Sequence, residues 1–399
     1  MLLYKSKFEW SSFITAVLLL FFMRPYFVWW IYQFPFVRIG TLLLLCFMFR
    51  QNKALQLTAK YSFLSVLFCF TLILCMLVML SHGNVNIWGV IDTFIKIFLV
   101  FILISSNSYR DRVYDSFFSI YSILILLSLV AWFLLPSGLL PNLGVISSFD
   151  ADDRWFIHYP LLVIERSFEA LRFNGPFDEP GVVGTIGAIF LCINKFNLKD
   201  IRNVVVLATS LLSLSFFFYV IISAYIVMYM LFVKKNIILV LLLAGAFVLF
   251  YQKTKDDPVF YATIWERAEW DPDTKEFKGD NRSNKDANAI FESKKGTSEY
   301  YWGLDNAGLY NSYAKGSCTY KNVIATYGFV FFALYCTFFI LLACNRDANK
   351  FSLFLYNMVL FANLYQRPSI YAPQIIFLFI VFAESLKKVT PILQEIKQQ

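Results

Sequence analysis

A few charged and polar residues in this chain have the types and spacing for chemistry. Residues 172–181 read Arg-Phe-Asn-Gly-Pro-Phe-Asp-Glu-Pro-Gly. Pro180 and Gly181 break the chain just before an apolar run, which puts Glu179 at the N-terminus of the helix that run predicts. A carboxylate there is either a capping device or a proton acceptor. Arginines recur between the apolar runs or at their ends: Arg24, Arg38, Arg172, Arg282 and Arg367. A guanidinium binds phosphate oxygens as a fixed fork, so a convergent set suits a diphosphate. Taken singly, each suits anchoring at a membrane interface. Tyr320 and Lys321, with Ser317 and Thr319, bring further donors to the start of another apolar run. His158 follows Asp153, Arg154 and Trp155, and is either a proton acceptor for a sugar hydroxyl or an interfacial residue.

Other chemistries find no support. There are two histidines, His82 and His158, and no His/Cys/Asp cluster at metal-ligand spacing, so no metal and no cofactor are expected. Neither a G-x-x-x-x-G-K-[ST] loop nor a G-x-S-x-G elbow occurs. Of seven Cys, only Cys318 lies in a stretch expected outside the membrane, and no C-x-x-C occurs, so no internal disulfide is expected there. The net charge of +8 comes without a basic, aromatic-interleaved groove, which argues against nucleic acid.

The elements that must position these residues are apolar. The chain is 59% hydrophobic and 16% charged, and its mean hydropathy is +0.61, too little polar surface for a soluble domain of 399 residues. A helix needs about 20 apolar residues to cross a bilayer. Twelve windows approach this: 9–23, 36–49, 61–81, 88–106, 115–136, 181–194, 203–216, 217–233, 236–251, 320–344, 351–364 and 371–386. The stretch 203–233 is long for one span and short for two, and a break around residues 213–215 is expected. In the fourth window Asp92 and Lys96 stand four residues apart, either a self-neutralising pair or a site.

Charge sets the orientation. With the N-terminus inside, every inside segment is basic, from Lys5 and Lys7 to Lys387 and Lys388. The two long outside loops are acidic: 137–180 holds three cations against seven acids, and 252–319 ten against twelve. Both termini are therefore expected in the cytoplasm. The N-terminal stretch, lacking a small-residue cleavage site before Arg24, is expected to remain as the first span. The organisation is five spans (1–136), a loop (137–180), four spans (181–251), a larger loop (252–319), and three spans with a tail (320–399). The fold class expected is an all-α polytopic membrane protein with two large outer loops. Loops this long, rich in Trp, Tyr and Phe, predict folded caps. An amphipathic segment at 159–171 is expected to lie on the membrane surface.

Two stretches add a resemblance. RFNGPFDEPGVVGT (172–185) looks like the Arg…Gly-x-Phe-x-Glu-Pro segment of bacterial O-antigen and capsular repeat-unit polymerases, the Wzy type. The span-opening YKNVIATYGFVFF, with GDNRS and YYWGLDNAG before it (279–332), is similar to their second loop. The resemblance implies a GT-C-like membrane glycosyltransferase at the periplasmic face of the bacterial inner membrane. It would join undecaprenyl-diphosphate-linked oligosaccharides without a metal, among membrane lipids, with a chain-length regulator as an open partner. Glu179 then serves as base, and Arg172 and Arg282 stabilise the leaving diphosphate. Arg367, Lys321, Tyr320, His158 and Arg38 would bind substrate. The related O-antigen ligases carry a histidine in the second large loop, and residues 252–319 hold none. A ligase and a transporter of lipid-linked sugars remain alternatives. A transporter is expected to show repeated halves, and none is evident.

Overall fold

The computed structural model describes residues 9–29, 39–43, 59–81, 87–147, 154–165, 172–232, 237–272, 276–277, 285–304, 320–344, 348, 350–366 and 372–386. The protein is mostly helical. Its main helices among the described residues are α1 (Trp10–Phe22), α2 (Ala59–Ser81), α3 (Ile87–Ser105), α4 (Asn107–Leu134), α5 (Pro180–Ile193), α6 (Ile201–Leu212) and α7 (Phe216–Phe232). They continue with α8 (Ile237–Thr254), α9 (Lys285–Lys294), α10 (Ser298–Trp302), α11 (Tyr320–Cys344), α12 (Lys350–Gln366) and α13 (Pro373–Ser385). Helices α1 to α8 and α11 to α13 fall on eleven of the twelve apolar windows; of the remaining window only 39–43 is described, and it is helical. The expected break lies between α6 and α7, where Leu214 takes the left-handed conformation (φ 48°).

The all-helical expectation needs correction. Strands β1 (Val145–Ser147), β2 (Trp155–Tyr159) and β3 (Leu162–Glu165) form an antiparallel sheet, and β4 (Trp270–Asp271) pairs with β5 (Glu276–Phe277). The segment 159–171, expected to lie on the membrane surface, begins in a hairpin that pairs Tyr159 with Leu162. The reason is a small buried cluster. Phe156 and Val163 point into a cluster with Trp29, while Trp155 faces out. The part at 166–171 lies outside the described residues.

Among the described residues, two helical stretches are long and apolar enough to cross a membrane: Asn107–Ser137 and Tyr320–Cys344. Others are shorter. Helix α5 has 14 residues and so rises about 21 Å.

The chain forms two compact units. The first comprises 1–23, 30–120 and 282–399. In it α2 packs on α3 and α11, while α13 packs on α1, α3, α11 and α12. Every residue of α13 up to Glu384 is buried, as its all-round apolar sequence requires. Glu384 meets Arg110 of α4 at 3.2 Å, and the buried guanidinium also donates to Leu103 O and Asn107 Oδ1. On α3, the charges of Asp92 and Lys96 interact, with Cys75 of α2 in the same neighbourhood.

The second unit comprises 24–29 and 121–281. Its centre is α5, packed on α6 and α7 through small residues. A Cβ on Gly187 would overlap Ser210 Oγ, and one on Gly184 would overlap Ser215. Such glycines let helix backbones approach closely.

Candidate functional site

The segment 172–179 is a loop held from several sides. Helix α6 ends at Leu212, and the turn through Leu214 leaves the carbonyls of Leu212, Ser213 and Leu214 to donors from elsewhere in the chain. Arg172 supplies two of them. Its Nε donates to Ser213 O (3.2 Å) and its Nη2 to Leu214 O (3.0 Å), and the Phe173 amide donates to Leu212 O (3.1 Å). A cation also suits the negative end of a helix dipole. Arg172 is 9% exposed.

The rest of the loop is tied elsewhere. Gly175 has φ 59°, a conformation that favours glycine. Its carbonyl accepts from Val163 of β3, and the Pro176 carbonyl accepts from Tyr26. Phe173 and Phe177 are fully buried, and the Tyr121 ring stacks on Phe177. Trp132 lies edge-on to Phe173 at 6.4 Å, and its Nε1 is buried without a hydrogen-bond partner.

This framework ends at Glu179, the N-cap residue of α5. The carboxylate makes no capping hydrogen bond to the helix. It stands 3.7 Å from Arg154 Nη1, and Asp178 stands 4.0 Å from Arg154 Nη2. About a quarter of the Arg154 side chain and a third of the Glu179 side chain remain exposed. Arg154 also lies over the Phe156 ring at 5.9 Å. A carboxylate held by a guanidinium, one third in solvent at a helix start, can accept a proton from a bound hydroxyl.

His158 is fixed in the sheet. Its amide donates to Gly144 O, and its Nδ1 lies 2.9 Å from the same oxygen. Since a carbonyl only accepts, Nδ1 is the donor of this bond. The ring lies 5.8 Å from that of Tyr26, whose hydroxyl donates to Tyr159 O and accepts from Leu161 N. Burial pushes the Tyr26 pKa up, against the opposing pull of the Leu161 amide.

Matching the chain against protein-family models, curated proteins and solved structures finds no match.

The remaining expected residues divide into two groups. Tyr320 and Lys321 belong to the first unit. Lys321 Nζ donates to Asn288 Oδ1 (2.7 Å) and lies 5.9 Å from the Phe291 ring centre, and the Tyr320 ring stacks on Tyr365. Arg38, Arg282 and Arg367 lie outside the described residues. The structure thus joins Arg172 and Glu179 through one short loop and puts His158 on the adjoining sheet.

The glycines near Tyr320 have a packing role. Gly328 interrupts α11 with φ 87° and ψ 155°. A Cβ there would overlap the Tyr301 carbonyl and lie 2.8 Å from the Trp302 backbone. Gly303 (φ 95°) faces Thr326 O, and Leu304 N donates to Ala325 O, a carbonyl beside the kink. The two glycines let backbone meet backbone.

Arg154, named above only as a neighbour of His158, and Trp132 were given no role from the sequence. Arg154 carried a signal, as the cation that follows Asp152 and Asp153 at the start of an alternating stretch. Trp132 carried none, being one aromatic in a long apolar run.

Proposed function

We propose that this chain is a polytopic membrane glycosyltransferase that polymerises polyprenyl-diphosphate-linked oligosaccharide repeat units. The site would face the periplasm. Support for the membrane comes from an inverted distribution of polarity. On α2 the residues Phe63, Val66, Phe70, Ile73, Leu77 and Leu80 make an exposed stripe, while Ser65 and Thr71 are buried. Apolar side chains cover α8 and are also exposed, among them Ile238, Leu242 and Leu249. Water disfavours both arrangements, and lipid suits them.

The observation that carries the activity is the clamped loop 172–179, which ends in Glu179 beside Arg154. In the proposed reaction an acceptor hydroxyl oxygen bonds to C1 of the donor sugar. The C1–O bond to the diphosphate breaks, the hydroxyl proton passes to Glu179, and polyprenyl diphosphate leaves. Arg154 holds the carboxylate. Arg172 acts as a positioning residue, because two of its nitrogens are engaged with the α6–α7 break. The leaving diphosphate calls for cations.

The test gives purified protein its lipid-linked repeat unit in EDTA and resolves the glycans on a gel. A ladder spaced by one repeat unit is expected, and Glu179→Gln should remove it without loss of folded protein. A full-length ladder from Glu179→Gln sinks the assignment of the base. No ladder from wild type with authentic substrate sinks the polymerase, and adding lipid A core then tests the ligase.

A further inference from the structure

In the first unit, α9, α10 and the start of α11 bring two cations and three exposed aromatic rings onto one strip. At one end the Lys321 and Lys295 ammoniums lie 5.9 and 5.8 Å from the centre of the same ring, that of Phe291. Lys321 reaches it from the first turn of α11 and donates to Asn288 Oδ1. Lys295 reaches it from the residue after α9 and is paired with Glu292. The Glu292 carboxylate holds the Lys295 pKa above its ordinary value, and Tyr320 and Tyr300 lie within electrostatic range. From Phe291 the strip continues ring to ring. Tyr300 lies 5.9 Å from Phe291, 5.4 Å from Tyr301 and 5.5 Å from Phe329. At this far end Tyr301, Trp302 and Phe329 are 43%, 47% and 37% exposed.

The strip is held in place by backbone. Leu304 N donates to Ala325 O, and the contacts at Gly303 and Gly328 press the end of α10 against the kink in α11. Two ammoniums drawn to one ring repel each other, and Glu292 offsets only one of them. Among the described residues Lys321 has no carboxylate partner; it meets one amide oxygen and one ring while half-buried. An ammonium has three donors, so two remain for a ligand. The level of the strip suits a lipid head. Helix α11 has 25 residues and rises about 37 Å, longer than the hydrocarbon core of about 30 Å. On the membrane reading its first turn therefore stands among the headgroups.

Chemistry selects the ligand. Ammoniums with open donors call for an anion whose several oxygens they can share, as a phosphoryl group offers. Exposed rings beside them call for an apolar body attached to that anion. Free phosphate would use the lysines and leave the rings in water, and a neutral sugar would leave the cations unanswered. We infer that Lys295 and Lys321 hold the phosphoryl head of a lipid whose apolar chain lies against Tyr301, Trp302 and Phe329. Glu292 stays on Lys295 and shares it with the anion. This lipid site rests on the membrane reading above and does not depend on polymerisation.

The test titrates the full chain in maltoside detergent with farnesyl diphosphate and with inorganic diphosphate, read by calorimetry against a micelle blank. Wild type should bind farnesyl diphosphate, and more tightly than inorganic diphosphate. Lys321→Gln keeps a donor for Asn288, loses the charge, and should weaken binding roughly tenfold. Lys295→Gln, at an exposed position, should weaken it about threefold. Trp302→Ala should weaken farnesyl diphosphate and leave inorganic diphosphate unchanged. Lys253→Gln, exposed on α8 of the second unit, should change neither. Thermal unfolding checks the fold of each variant. No binding by wild type, or binding that both lysine variants leave within about twofold, overturns the site. Inorganic diphosphate bound as tightly as farnesyl diphosphate, with Trp302→Ala silent, overturns the lipid as its source. If the lipid site binds and authentic repeat unit gives no ladder, the site stands and the polymerase falls. If a ladder forms while both lysine variants bind as wild type does, the site falls and the polymerase stands.

Discussion

Replacing Arg172 by methionine keeps an apolar stem and removes the guanidinium. The carbonyls of Ser213 and Leu214 then lose their donors at the α6–α7 break. A hydrogen bond to a charged group contributes roughly 1.5–3 kcal/mol, so two contribute about 3–6 kcal/mol. The bond to Leu214 is only partly buried, and water replaces some of it. The helix-dipole attraction is the same interaction in another form and adds nothing further. The expected loss of stability is therefore about 2–5 kcal/mol. Denaturant unfolding of purified protein, followed by tryptophan fluorescence, measures it. Hydrogen exchange adds a local readout. The amides of Phe173, Val163 and Tyr26 donate to or from the loop, and each should exchange faster in the variant. The refuting result is a variant with stability within about 0.5 kcal/mol of wild type, unchanged protection at those amides, and no polymer. Arg172 would then act on substrate, and its place as a positioning residue would be lost.

Gly328→Ala should destabilise by about 2–5 kcal/mol, since it adds a strained backbone region to a clash that no rotamer relieves; chemical unfolding measures the loss. Gly187→Leu should separate α5 from α6 and cost more than about 3 kcal/mol, or abolish folded expression, as read by size-exclusion in detergent. Hydrogen bonds from Arg202 hold the Asp200 carboxyl below the usual carboxylate range. Its contribution is present above the unfolded pKa, near 3.9, and fades as pH falls through the lower folded value. Asp200→Asn should therefore cost less than about 1 kcal/mol at neutral pH, the partly exposed pair being screened, and nothing in strong acid; unfolding at several pH values checks this.

Much of the helical order was legible because it rests on local composition. The apolar windows coincide with helices α1 to α8 and α11 to α13, and Pro180 and Pro373 open α5 and α13 as a fixed φ and a missing amide favour. The break at 213–215 was legible too, because it is written in length and in a cluster of serines. The sheet at 145–165 was missed. Its strands run three to five residues, and a pattern that short satisfies a helix as readily as a strand.

Partners could not be read in the same way. By itself the sequence determines where the chain is apolar, where it breaks, and that Glu179 opens a helix, since these depend on neighbours within a few residues. Only the tertiary structure decides that Arg172 caps α6 forty residues away, that Arg154 is the cation facing Glu179, and that Gly303 and Gly328 bring two backbones together. It also decides that Lys321 reaches Asn288 and the Phe291 ring. Each of these depends on which distant side chain arrives at a given donor or acceptor, and packing sets that where periodicity does not.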